Sequence, residues 1–333
     1  MKRNLARTIS LFVALALLLS ATCLVSCGQK KKRIVIYSSA EDYRIDYVQK
    51  MLDERFPEYD IVIDYRSSGD HAAILKASGV EAGCDITHDL EYGYAQELAE
   101  LGVLADLKDM VDFSVYAEDT VVDTHFLPEI RNGGAIIVNM DVIAREGLEI
   151  PASYEDLLDP QYKGLISMPN PASSGTGYMF LLSLVNAWGE ERAFEYFDKL
   201  SENVLSFTTS GSGPVNALIT GEAAIALGMT ANAVTKINDD GASFKLLFFA
   251  EGSPYSMYAQ AVIAGREADE DVMRVFEYLS TTVNEGMVKY YYPEKVYKSQ
   301  DVSLPNYPTD IKYADMSGNT SQRKDELLSK WTH

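Results

Sequence analysis

A chain of 333 residues with 29 basic and 49 acidic side chains has a formal charge of −20, and so acidic a surface argues against nucleic acid, whose phosphates need a basic face. It leaves an anionic small ligand open, because donors inside a pocket act locally against a repulsive global field. About 300 residues suffice to bury a core, most naturally in two lobes.

Lys2, Arg3 and Arg7 precede an apolar run from Ile9 to Leu19, and Leu24-Val25-Ser26-Cys27 follows. A short positive segment, an apolar stretch too brief to cross a bilayer well and small residues before a cut mark a secretory signal over 1–26 and not a transmembrane helix. Cysteine directly after the cut makes this a lipobox. The Cys27 thiol takes a diacylglyceryl group and the freed amine an acyl chain such as palmitate, and two or more chains hold a protein far more firmly than one. The mature chain is expected to begin at Cys27, lipid-anchored outside the cytoplasm at a cell surface or periplasmic face, with 27–33 as a solvated spacer. Removing 1–26 takes three cations and no anion, which moves the formal charge from −20 to −23. With Cys23 cut away and Cys27 used by lipid, Cys84 has no partner for an intramolecular disulfide.

An apolar strand, Arg33 to Tyr37, runs into Ser38-Ser39-Ala40-Glu41-Asp42 and a helical pattern to Phe56. A second strand, Ile61 to Tyr65, again leads to hydroxyls, at Ser67-Ser68-Gly69-Asp70, before a helix through Ala77. A third strand is expected around Asp85-Ile86-Thr87, with Tyr92 to Glu100 helical after it. Strands alternating with helices at this spacing predict parallel βαβ units and an α/β sheet. Such sheets bind ligands at the carboxyl ends of their strands, where the paired serines sit.

Between Asp123 and Gly134, Pro128 and Gly133-Gly134 interrupt helical periodicity, and this is the expected first crossing between lobes. A strand at Ala135 to Asn139, a short helix from Asp141 to Gly147 and a capping box at Ser153 to Asp156 follow. Next come a strand near Leu165 to Met168 and helices over 178–188, 190–200 and 213–220. A buried strand over 223–229, another over 245–249 and a return at Met257 to Ala264 complete the second lobe. Val272, Val275, Phe276 and Leu279 then recur at helical spacing and predict a helix packed on the first lobe. The expected lobes are 34–127 with 256–333, and 128–255.

The most specific internal motif is Met168-Pro-Asn-Pro-Ala-Ser-Ser-Gly-Thr-Gly-Tyr178, between a strand and a long apolar helix. It offers Asn170, the hydroxyls of Ser173, Ser174 and Thr176, close approach at Gly175 and the free amides of a helix start, which suit a carboxylate, phosphate or phosphonate. An ordinary N-cap serine is the competing reading. Repetition bears on the choice. Thr208 to Pro214, with Ser212, Gly213 and a first-turn proline, is a second such junction, and Ser38-Ser39 and Ser67-Ser68 supply two more. Four hydroxyl-rich strand-to-helix junctions read as one cleft lined from both sides. Thr230, after the buried strand, and His88, after the third strand, join the expected ligand-binding set. Asp70 contacts an ammonium group or caps its helix, and Glu251 and Tyr255 close over ligand or pack the crossover. His71, His125 and His333 share no metal spacing, so neither metal nor cofactor is expected. Gly211-Ser212-Gly213 lacks the surrounding nucleophile-elbow pattern and there is no Walker loop, so the chain reads as a binding protein and not an enzyme.

The lipobox, the opening IVIYSSAED, YRSSGDHAAILKASG, the central PNPASSGTGY and the later GEAAIALG together resemble extracellular solute-binding proteins of ABC importers, in the branch that includes ferric-iron, thiamine, putrescine and phosphonate binders. The resemblance covers residue 33 to about 315. It implies a two-lobed α/β periplasmic-binding-protein fold of type II, with a cleft between lobes joined by hinge strands. It also implies capture of a small solute by a monomer and delivery to an ABC permease. Ferric-binding members carry adjacent tyrosines shortly after the segment matching Gly221 to Gly228; here Met229-Thr230-Ala231-Asn232-Ala233 stands there, and the first strand ends without their frequent histidine. Tyr290-Tyr291-Tyr292 lie beside Pro293, where an aromatic packing cluster is expected. Ferric iron is therefore the alternative ligand, and a secreted hydrolase is the alternative of another class.

Overall fold

The computed structural model describes residues 31–118, 120 and 122–333. The expected signal segment, Cys27 and most of the spacer lie outside the described residues. The first half begins with β1 (Lys32–Ser38), α1 (Asp42–Arg55), β2 (Tyr59–Tyr65), α2 (Ser68–Ser78), β3 (Ile86–Glu91) and α3 (Tyr92–Glu100). β2, β1 and β3 run parallel, with Ile36 opposite both Ile63 and Ile86. Helices on the faces of a parallel sheet explain why β3 is buried at every residue and why such strands are apolar on both sides.

The chain crosses on β4 (Leu127–Asn139), turns through α4 (Met140–Glu146) and builds a second sheet from β5 (Ile166–Pro169), β6 (Val204–Thr208) and β7 (Ile225–Met229). Here α5 (Gly175–Trp188), α6 (Glu190–Leu200), α7 (Gly213–Ile219) and α8 (Thr230–Asp240) make the connections. β5 pairs in parallel with β6 and β7. Every residue of α5 from Gly175 to Val185 is buried, as a helix apolar all round must be. β8 (Phe244–Leu247) flanks β4, and β9 (Tyr255–Val262) returns to lie antiparallel between β3 and β4. α9 (Glu270–Tyr278), a π-helical turn over Leu279–Val283, α10 (Asn284–Tyr291) and α11 (Ser321–Leu328) finish the chain.

β4 is the main departure from the expected elements. The stretch read as an interruption over 123–134 is extended from Leu127, because it is paired on the way: up to Gly133 with β9, and from Gly134 with β7 and β8. Gly134 stands at the changeover, where a Cβ would come within 2.9 Å of Phe180, Met179 and Pro254. β3 also runs further than expected, carrying His88 and Asp89 inside a register shift where Asp89 takes a φ of 55°. Such bulges re-aim side chains. The Ser153 box forms, with Asp156 N donating to Ser153 Oγ at 3.1 Å, but it heads a 3-10 turn at Glu155–Leu158, since Asp159 precedes Pro160 and is held extended.

Two cores result. One gathers Ile34, Ile36, Leu52, Ile86, Val262 and Phe276; the other gathers Val138, Met168, Phe180, Ile225 and Leu227. Leu327 and Trp331, from the end of the chain, pack into the second core and not the first, because Trp331 finds the rings of Phe197 and Phe207 there.

Candidate functional site

The carboxyl ends of β1, β2 and β7 meet the first turns of α2 and α5 around a cavity of about 10 Å³, room for roughly one water-sized molecule. Ser39, Ser67, Ser68, Ser174, Gly175 and Thr176, all expected from the sequence, line it. So do Tyr65, Gly211, Met229 and Tyr258, which the sequence reading missed. A groove of about 590 Å³ lies elsewhere, between Val115, Thr281 and Lys289, and of the strands only the start of β4, at Leu127, reaches it.

The halves touch at the cavity. Gly69 N donates to Ser173 O at 3.0 Å, and a Cβ at Gly69 would come within 2.9 Å of Ser173 Cα and O. The start of α5 is as close to the first half: a Cβ at Gly175 would stand 2.9 Å from Glu91 Cβ. A Cβ at Gly211 would collide with the Thr176 hydroxyl. Glycine is required at these positions by approach and not by dihedral.

The serines of both junctions cap their helices and also line the cavity. Ser67 caps α2, accepting from Asp70 N at 3.3 Å and donating to Asp70 Oδ2 at 2.9 Å; Asp70 is thereby part of the cap. Ser174 caps α5, accepting from Gly177 N at 3.4 Å. Each is also a wall of the cavity, so two helix N-termini face one small space from opposite halves. Burial, then the Asp89 carboxylate, push the Tyr258 phenol well above its usual range.

Under the cavity floor lies a buried ion network. Ser39 Oγ is 2.8 Å from Ser68 Oγ and donates to Asp89 Oδ2 at 3.1 Å. Arg44 Nη2 lies 2.7 Å from Asp89 Oδ1 and 3.0 Å from Glu129 Oε1, while its Nη1 reaches Glu41 Oε2 at 3.1 Å. His88 bridges Ser38 Oγ, 2.8 Å from its Nδ1, to Glu129 Oε1, 3.0 Å from its Nε2. Burial raises the Asp89 carboxyl well above the carboxylate range against the pull of Arg44. Glu129 is held low: burial opposes its charge, and His88 and Arg44 outweigh that. Ser38 and His88 are thus one layer beneath the cavity, and Arg44 is engaged by three carboxylates. An anion in the cavity would meet amides and hydroxyls before any uncommitted cation.

The remaining expected residues are placed differently. Asn170 orders its own loop, accepting from Ala172 N at 2.9 Å and donating to His333 O at 3.0 Å. Ser173 Oγ donates to Thr209 O at 3.2 Å. Ser210, not Ser212, accepts from Gly213 N, at 3.2 Å, and neither Ser212 nor Gly213 lines the cavity. Thr230 is buried at the start of α8. Glu251 accepts from Trp188 Nε1 at 3.1 Å and Tyr255 packs on Tyr313, which is crossover packing. His71 is a core residue beside Thr87. His125 pairs with Asp123 and His333 with Asp198. Tyr290 and Tyr291 pack with Tyr47, and Tyr292 lies under Arg44, its ring centre 4.9 Å from the guanidinium carbon. Among the described residues, no group of three or more His, Cys, Asp or Glu is placed to hold a metal ion.

Residues 93–317 match the family described as bacterial extracellular solute-binding protein. An uncharacterised protein of Haemophilus influenzae is 30% identical over 265 residues, 77% of this chain and 75% of that one. The periplasmic binding protein AfuA from Actinobacillus pleuropneumoniae, with fructose-6-phosphate bound, has a TM-score of 0.78 at 21% identity over 90% of this chain and 98% of its own. Iron-bound HitA from Pseudomonas aeruginosa has a TM-score of 0.73 at 16% identity, over 90% of this chain and 99% of its own. The fold is accordingly the two-lobed type II periplasmic-binding fold, with the cavity between lobes. The chain belongs to the bacterial extracellular solute-binding proteins, which bind small ligands for delivery to ABC permeases and are not enzymes.

Proposed function

We propose that the solute bears a phosphate, phosphonate or carboxylate group, docked where α2 and α5 begin. The carrying observation is the convergence of two capped helix N-termini from opposite lobes on one cavity. Amides and hydroxyls in a closed, dry site replace the hydration of an anion, and the commitment of Arg44 to carboxylates leaves that task to them. The sugar phosphate held by AfuA supports the same reading. We further propose that 34–127 with 256–333 and 128–255 are the lobes, with the chain from Asp315 through the last helix crossing from the first to pack on the second. The protein acts as a monomer held by acyl chains on Cys27 outside the cytoplasm. Binding favours the closed arrangement that a permease recognises, which is a population shift and not chemistry.

Calorimetric titration with fructose-6-phosphate, 2-aminoethylphosphonate and inorganic phosphate tests this. At least one should bind, and Ser174→Ala or Thr176→Ala should cost about 1–3 kcal/mol of that binding. Silence from all three would overturn the phosphate and phosphonate readings, and lost stability at unchanged affinity would leave Ser174 a helix cap only. Release of phosphate from fructose-6-phosphate would favour the hydrolase. Ferric iron is the weaker reading, since no tyrosine stands in 229–233 and Tyr292 is stacked beneath Arg44. A phenolate-to-iron band on adding ferric citrate would revive it.

A further inference from the structure

The last helix is anchored on the second lobe. Leu327 and Trp331 enter that core, and Asn186 Nδ2 donates to Asp315 O and Ser317 O at 2.9 and 3.0 Å. Arg323 and Lys330 both pair with Glu190 on α6. Lys324 points the other way. Its ammonium lies 2.5 Å from Glu91 Oε2 and 3.2 Å from the ring centre of Tyr94, both in the first lobe, while the Tyr178 ring of α5 is 4.5 Å away.

Glu91 gathers the two sides. Its Oε1 accepts from Ser256 Oγ on β9 at 2.7 Å and from Asn319 Nδ2 at 3.0 Å, and its Oε2 accepts from Gly93 N at 3.1 Å. The Glu91 and Lys324 side chains are 1% and 2% exposed, so the pair is shut away from water. The same carboxylate side chain backs onto Gly175 at the start of α5. Charge pairs this dry contribute little net stability, but removing one partner is costly, which suits them to specifying one arrangement over another.

We propose that Lys324 and Glu91 form a latch across the lobes, made when they are closed and parted when they open, so that the tail sets how much of the protein is closed before any solute arrives. The proposal rests on movement of the lobes about β4 and β9 and not on which solute is bound. A bond made in one state and missing in the other shifts the populations by its difference in free energy.

Hydrogen exchange of the full-length protein without solute reads the latch directly. The Gly69 amide is bonded across the lobes to Ser173 O, while the His71 amide in the same helix is bonded within its own lobe to Ser67 O. Lys324→Met and Glu91→Gln should each speed exchange at Gly69 about tenfold or more relative to His71. Should a single variant unfold, the pair Glu91→Gln with Lys324→Met leaves no buried charge unpaired; it should regain thermal stability relative to the single variants and still exchange fast at Gly69. Wild-type protection of Gly69 in the double variant, or equal acceleration at Gly69 and His71, would overturn the latch. Because no solute is present, failure of the anion reading would not alter these outcomes.

Discussion

Gly69 and Gly175 bring the two lobes so close that a single added carbon at either would strike the opposing lobe, and one at Gly211 would strike the Thr176 hydroxyl of its own lobe. Nearby, His71 shows how burial alone sets a residue's chemistry. Its Nε2 lies 2.8 Å from Thr87 Oγ1, and burial, helped by His88 and Arg66, lowers its pKa from 6.5 to about 3. The folded value lies below the unfolded one, so as pH falls the unfolded chain takes up the proton first. Stability present above pH 6.5 is then lost, by up to about 1.4 kcal/mol per pH unit, until the folded value near 3 is reached. Replacement by glutamine, His71→Gln, should flatten this part of a stability-versus-pH profile measured by urea unfolding. An unchanged slope between about pH 6 and 4 would mean that the folded ring accepts the proton.

Among the elements, β4 carries the connection between lobes, and Gly134 is the point where its partners change. Gly134→Val should overpack against Phe180, Met179 and Pro254 and cost about 1–3 kcal/mol; a urea midpoint equal to wild type would show that the neighbours yield freely. This strand was the least legible in the sequence. Its pattern holds Pro128 and two glycines because pairing on both edges, from strands far along the chain, decides its shape. The hydroxyl junctions were legible for the opposite reason: caps and helix starts are local, so Ser67-Ser68 and Ser174-Gly175-Thr176 declare themselves within a few residues. Tyr65 and Tyr258 become walls through tertiary approach alone. The Arg44 network was not read from the sequence: Glu41 and Arg44 stand one turn apart, but Glu129 arrives on β4. Ser212 misled because Ser210, two residues earlier, takes the capping contact.

For the whole molecule, the proposed lipid anchor makes a clean prediction. If acyl chains on Cys27 supply the membrane affinity, Cys27→Ser should leave folding unchanged and move the protein from the membrane to the soluble fraction; persistence on membranes after a carbonate wash would overturn the lipobox reading. The interleaved strands have a consequence for manufacture as well. The first core lacks Val262, the partner of Ile86, until β9 has been made, and the second core waits for Trp331 near the very end. A chain threaded through a membrane amino end first therefore cannot seal its first core until β9 is through, nor its second until Trp331 is, and it travels with parallel strands uncovered and open to proteases or to its own copies. Secretion of this protein is a race between the arrival of its tail and the fate of its unfinished sheets.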